Sequence, residues 1–201
     1  MHLHGHLLGH QSKIMSNEPS AQNKACVLIA AGEDRPGIVD RVSGIVYQAG
    51  CNLEDSRMSI LGGEFALIVL ITGDEDSLTR VEQDVARLKE ELGLTLHCKR
   101  THTPTERSQP TEPHLLYTVH AVAMDHPGIV HKLTNLLASE GANVAKLDTT
   151  LTPAPTTGTP MFSLHLDVLL PAELSISRLR SRLQRLSEEE NIDVEVRASE
   201  G

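Results

Sequence analysis

Aromatic residues are almost missing from this 201-residue chain: two Tyr, two Phe and no Trp. Its core must therefore be aliphatic, and it has no row of rings on which single-stranded nucleic acid could stack. A basic excess is missing too, because the formal net charge is −9. Duplex DNA rewards clustered Lys and Arg through counterion release, so direct DNA binding is not expected. The one basic run, "SRLRSRLQR" at 177–185, holds Arg178, Arg180, Arg182 and Arg185 and reads as the solvated face of an amphipathic helix. The three cysteines, Cys26, Cys51 and Cys98, form no CxxC pair, which fits a reducing, cytoplasmic setting. No apolar run reaches the ~18 residues that a membrane span requires. Phosphate loop, nucleophile elbow and HExxH motif are all lacking, which argues against an enzyme and for no cofactor. The start, "MHLHGHLLGHQSKIM", is too rich in His for a secretory signal. Residues 1–23 read as a disordered leader, with Met15 as an alternative start, and no metal is assigned to its histidines.

What is present is a repeat. A shift of 91 residues lays Asp34 on Asp125, Pro36-Gly37-Ile38-Val39 on Pro127-Gly128-Ile129-Val130, Gly50 on Gly141 and Asn52 on Asn143. Two copies of one small fold follow, over 24–100 and 115–198, with 101–114 a Pro- and Thr-rich linker. In the first copy "ACVLIAA" suits a buried strand. Pro36 is expected as the first helical residue, since its missing N–H costs nothing there. Ile38, Val42, Ile45 and Ala49 recur at helical spacing up to Gly50, a helix stop. Gly62-Gly63 between two strand-like runs signals a hairpin. Ser77 is expected to cap a second helix carrying Leu78, Val81, Val85, Leu88 and Leu92, before "LTLHCKR" closes the unit. The order β-α-β-β-α-β predicts an α+β protein of two tandem ferredoxin-like units with antiparallel sheets. The second copy carries an insertion, "TPAPTTGTP" at 152–160, in its hairpin.

Such a unit covers one sheet face with helices and leaves the other open. Phe65 to Ile71 is apolar throughout, which predicts burial on both faces against a second module, from this chain or another. In the second copy Phe162, Leu164, Leu166 and Val168 alternate with Ser163, His165 and Asp167, which predicts a half-wet strand. There His120, His165 and Asp167 converge on the open face, as a metal or acid–base site or as a wet surface.

The repeated loop leads from a strand into a helix start, where free N–H groups and the positive dipole end attract carboxylates. Gly37 and Gly128 lack a Cβ and allow close approach. Asn52 and Asn143 each offer a donor and an acceptor. An α-amino acid needs this mixture, in a small pocket between two such modules. The alternative is structural: Asp34 and Asp125 cap helices and Pro-Gly shapes a turn.

The stretches "GEDRPGIVDRV…QAGCNLED" and "MDHPGIVHKL…SEGANVAKL" resemble the ACT domain family, small regulatory modules that bind amino acids. The resemblance implies tandem ACT domains, sensing of a small amino acid such as glycine, and control of transcription through a transcription-factor protein. It implies one ligand set of Asp34, Arg35, Pro36, Gly37, Ile38, Val39, Asn52 and Leu53. The other is Asp125, His126, Pro127, Gly128, Ile129, Val130, Asn143 and Val144. His126 stands where the first copy has Arg35, so the two sites need not be equal. A homodimer is one expected arrangement. Two other readings stand beside it. One is a structural tandem ACT dimerisation module without ligand. The other is a relative of formyltetrahydrofolate deformylases, in which a similar module precedes a catalytic domain for which this chain has no room.

Overall fold

The computed structural model describes residues 24–103 and 113–199. The expected leader and most of the expected linker lie outside the described residues. The chain divides into two compact units, at 108/109.

The first unit runs β1 (Lys24–Glu33), α1 (Ile38–Gln48), β2 (Asn52–Leu61), β3 (Glu64–Gly73), α2 (Glu75–Leu92) and β4 (Thr95–Thr101). The second runs β5 (His114–Met124), α3 (Ile129–Ser139), β6 (Asn143–Pro153), β7 (Pro160–Pro171), α4 (Ile176–Glu190) and β8 (Asp193–Ala198). Their sheets have matching orders, β2-β3-β1-β4 and β6-β7-β5-β8, and every pairing is antiparallel. These are two ferredoxin-like α+β units, each with its own aliphatic core. Alternate strand residues such as Leu28, Val69 and Ile71 meet Val42, Leu78 and Val81 from the helices in the first core. Val119, Leu166 and Leu170 meet Leu133, Leu137 and Leu179 in the second.

Two helix starts differ from expectation. Pro36 is not helical: α1 begins at Ile38 behind Gly37, whose φ of 91° and ψ of −5° place it left-handed. Pro followed by such a Gly suits the two central positions of a type II turn, so the pair turns the chain before the helix begins. Ser77 does not cap α2 from outside. Asp74 is the cap, and its carboxylate accepts the Ser77 N–H at 2.7 Å.

The hairpin at Gly62-Gly63 has φ of 60° and 87°, both positive as a two-residue type I′ turn requires. In the second copy the insertion lengthens the ladder to Pro153 opposite Pro160. Its tip is closed by the Ala154 N–H on the Thr159 carbonyl at 2.8 Å.

Within its own unit β3 is buried on one face only. Phe65, Leu67, Val69 and Ile71 are buried under the helices, while Ile68 is 45 % exposed and Ile29 beside it 44 %. The unit's own helices cover one face of the sheet, and the other face, with Ile29 and Ile68, is apolar. The half-wet reading of β7 agrees with its pattern: Leu164, Leu166, Val168 and Leu170 are buried and His165 is exposed.

Candidate functional site

The repeated loops are built alike. After β1 the Asp34 N–H donates to the Gly63 carbonyl at 3.0 Å, and after β5 the Asp125 N–H donates to the Pro160 carbonyl at 3.1 Å. Each loop is thus pinned to the neighbouring hairpin. Gly37 and Gly128 (φ 99°) then occupy the helix N-caps, with no side chain bonding to the first turn. Asp34 and Asp125 therefore do not cap their helices, contrary to the structural alternative. The first amides of α1 and α3 are left without an intrahelical acceptor, as at any helix start. A Cβ placed on Gly37 would meet nothing within 4 Å, so the glycine answers a backbone need.

The remaining loop residues divide by burial. Asp34, Pro36, Gly37 and Val39 are exposed, as are Asp125, Pro127 and Gly128, whereas Ile38 and Ile129 belong to the two cores and Val130 packs against the second. Arg35 has a structural duty: its guanidinium donates to the Leu92 carbonyl at 2.8 Å, closing the end of α2. His126, at the equivalent place, lies with Nδ1 3.2 Å from the Pro127 carbonyl.

Asn52 and Asn143 open β2 and β6. In each unit they stand beyond the far end of the intervening helix from the loop, a separation of roughly 16 Å for eleven residues. Within one unit the two halves of the expected ligand set are not brought together. Leu53 is 39 % exposed and Val144 is half-buried.

Glu54 was not flagged by the sequence. Its carboxylate accepts from the Asn52 amide at 2.9 Å and the Thr72 hydroxyl at 2.7 Å. Those two donors, Thr72 first, hold it below the usual carboxylate range. The second copy has Ala145 there, so Asn143 meets no such carboxylate.

A second unflagged residue is Glu140, at the C-terminal end of α3. Its side chain is 1 % exposed and paired with Arg182 and Arg178. The Arg182 guanidinium, then that of Arg178, keeps its carboxyl below the ordinary Glu value. Two arginines of the basic run thus hold a buried carboxylate rather than facing only solvent. In the first copy Ala49 replaces Glu140, and Arg80 bonds the Ala49 carbonyl at 3.0 Å instead. The signal available in the sequence was the spacing of Arg178 and Arg182, one helical turn apart on one face.

On the open face of the second sheet His120 and His165 lie directly opposite one another, with Asp167 one pair further along. The three expected residues do converge. Among the described residues no cysteine is in a disulfide, and no helix is long and apolar enough to cross a membrane.

Two tandem βαββαβ units with a glycine-capped helix start in each define an ACT-type regulatory architecture. The ACT domain model matches residues 25–99, nearly the whole first unit. The glycine cleavage system transcriptional repressor of Escherichia coli (strain K12) is 32% identical over 165 residues, covering 82% of this chain and 85% of that protein. The chain belongs to that family. Two solved structures share the whole two-unit fold. One, of an unknown protein from Galdieria sulphuraria, has a TM-score of 0.73 at 28% identity and covers 89% of this chain and 100% of its own. The other, described as a glycine cleavage system transcriptional repressor, has a TM-score of 0.63 at 26% identity and covers 90% and 99%.

Proposed function

We propose that this protein is an amino-acid-responsive regulator of transcription, with glycine as the first candidate ligand, acting through contact with a transcription-factor protein rather than DNA. The observation that carries the reading is the 32% identity to a glycine cleavage system transcriptional repressor across 82% of the chain. The net charge of −9 supports a protein partner over a phosphate backbone.

The ligand carboxylate sits against the free amides of a helix start, at Gly37-Ile38-Val39 or Gly128-Ile129-Val130, where the dipole end favours an anion. Asp34 or Asp125 accepts from the ammonium. The Asn52 or Asn143 edge of another module completes the pocket. Asn143 is the better placed of the two, because the Asn52 amide is already engaged by Glu54. Binding favours one arrangement of modules by its differential affinity, and that arrangement gains or loses the partner.

A ligand at about 100 times its Kd that binds only the native state adds ~2.7 kcal/mol, visible as a melting shift. Thermal unfolding across a panel of amino acids that includes glycine and serine is the test. A selective shift, weakened by Asp34→Ala with Asn52→Ala and by Asp125→Ala with Asn143→Ala in folded protein, is the expected result. No shift with any amino acid would favour a second reading, a dimerisation module without ligand. The exposed apolar pair Ile29 and Ile68 is the observation on that side.

A further inference from the structure

The two units share a frame, but their open sheet faces differ at the centre. In the first, Ile29 lies opposite Ile68 across β1 and β3. In the second, the same two places hold His120 and His165 across β5 and β7. The fold is content with two isoleucines there, so it does not require two imidazoles. Their ring centroids are 6.3 Å apart, with planes inclined by 54°.

Each imidazole also has carboxylates beside it. His165 Nε2 is 3.7 Å from Asp167 Oδ1, and Asp148 is its cross-strand neighbour on β6. Glu195 is the neighbour of His120 on β8. Two cations share the face. Lys146 pairs with Asp148 at 2.8 Å, and Arg197 pairs with Glu195 at 2.6 Å. Three carboxylates against two cations leave the histidine pair in net negative surroundings, which suit a cation and not an anion. Thr118, His120, His165, Glu195 and Arg197 line a cavity of about 210 Å³ at this point.

We propose that His120 and His165 form a binding site for one divalent transition-metal ion on the open face of the second sheet. Neutral imidazole is a ligand for Cu²⁺, Ni²⁺ and Zn²⁺, whereas Mg²⁺ and Ca²⁺ demand oxygen ligands. With a metal–nitrogen distance of ~2.1 Å, two rings on one ion have centroids on the order of 5 to 6.5 Å apart, so the observed spacing needs only side-chain rotation. Asp167, 3.7 Å from His165 Nε2, stands close enough for a small ring rotation to bring it into hydrogen-bond reach, where it would orient the ring as carboxylates orient metal-bound histidines elsewhere. No three His, Cys, Asp or Glu side chains among the described residues are placed to hold an ion by themselves. The site is therefore a two-histidine one, with water in the remaining positions. The Irving–Williams order makes Cu²⁺ its tightest ion. The inference stands apart from the amino-acid reading, since neither histidine belongs to the repeated loops.

The leader histidines, His2, His4, His6 and His10, are substituted so that any metal they take adventitiously does not enter the count. The test is calorimetric titration of the full chain carrying His2→Ala, His4→Ala, His6→Ala and His10→Ala, with CuCl₂ and then ZnCl₂. The expected result is one equivalent per chain. Adding His120→Gln or His165→Gln should raise the Kd at least ~10-fold, and Asp167→Asn should raise it by roughly the same factor through its histidine. The paramagnetic resonance spectrum of the Cu²⁺ form should show two equatorial nitrogens. Circular dichroism establishes that each variant is folded. Loss of all binding with the leader substitutions, an unchanged Kd in both His→Gln variants, or a single-nitrogen spectrum would overturn the proposal.

Discussion

Replacing Gly37 with Ala separates a backbone requirement from a packing one. A Cβ at this position meets no atom within 4 Å, so no clash adds to the cost. What remains is the φ of 91°, left-handed territory that costs an L-residue about 1–2 kcal/mol. Gly37→Ala should therefore lower stability by that amount. For a unit of this size that is roughly 4–8 °C in melting temperature per kcal/mol. Gly128→Ala should match it, because its new Cβ would lie 3.8 Å from Lys132 Cε, an ordinary contact. Asn visits the left-handed region more readily than Ala, so Gly37→Asn should recover part of the loss. Yet Asn puts a side chain over the helix-start amides. The proposed carboxylate seat then predicts that Gly37→Asn keeps the fold and loses amino-acid response. Urea unfolding followed by circular dichroism, with and without glycine, reads both quantities. A loss above ~4 kcal/mol for Gly37→Ala would refute the reasoning, because it would require contacts that this exposed loop does not make. No loss at all would show that the turn is not the one described.

Other perturbations probe the two frames. Leu166→Ala, at a fully buried position of the second core, should cost about 2–5 kcal/mol in denaturant unfolding. Ser175 accepts the Arg178 N–H at the start of α4, so Ser175→Ala should cost about 1 kcal/mol in the same assay. The folded-state pKa of Glu140 lies below its unfolded value, so its contribution is complete above the unfolded pKa and is lost as pH falls through the folded one. Glu140→Gln should flatten the acid limb of stability against pH below the ordinary Glu range, and an unchanged limb would count against the Arg182–Glu140–Arg178 cluster. Ile68→Asp on the open face of the first sheet should leave the unit folded and change the oligomeric state in sedimentation, and an identical sedimentation profile would remove that face as an interface.

The frame was legible in the sequence because its signals are local and doubled. Aliphatic runs, Gly50 and Gly141 after their helices, and Gly62-Gly63 between two strands state the same order twice. The exact helix starts were less legible. Pro36 fits both a first helical turn and a type II turn, and only the backbone of Gly37 decides between them. At α2, Asp74 and Ser77 are both capping residues, and Asp74 takes the cap because the helix begins one turn earlier. The candidate site can be read from the sequence as residue types but not as distances. The sequence places Asp34 and Asn52 in one motif, whereas α1 carries them to opposite ends of the unit. Glu54 and Glu140 were hidden because a lone acid reads as surface until its partners, 18 and 42 residues away, are brought to it.

The asymmetry between the copies bears on which candidate residues are freer to take the proposed ligand. In the first, Arg35 is committed to the Leu92 carbonyl and Asn52 to Glu54. Binding at either residue would first have to break an existing contact. In the second, His126 closes no helix, and Ala145 leaves Asn143 without the carboxylate that holds Asn52. The second copy therefore holds its polar groups with fewer competing duties, so a pocket completed by Asn143 would break fewer existing hydrogen bonds than one completed by Asn52. If the two copies divide labour, disabling Asn143 should weaken the amino-acid response more than disabling Asn52. Equal losses would instead mean that the Asn52–Glu54 contact is itself part of the ligand's seat, with Glu54 as the acceptor for the ammonium.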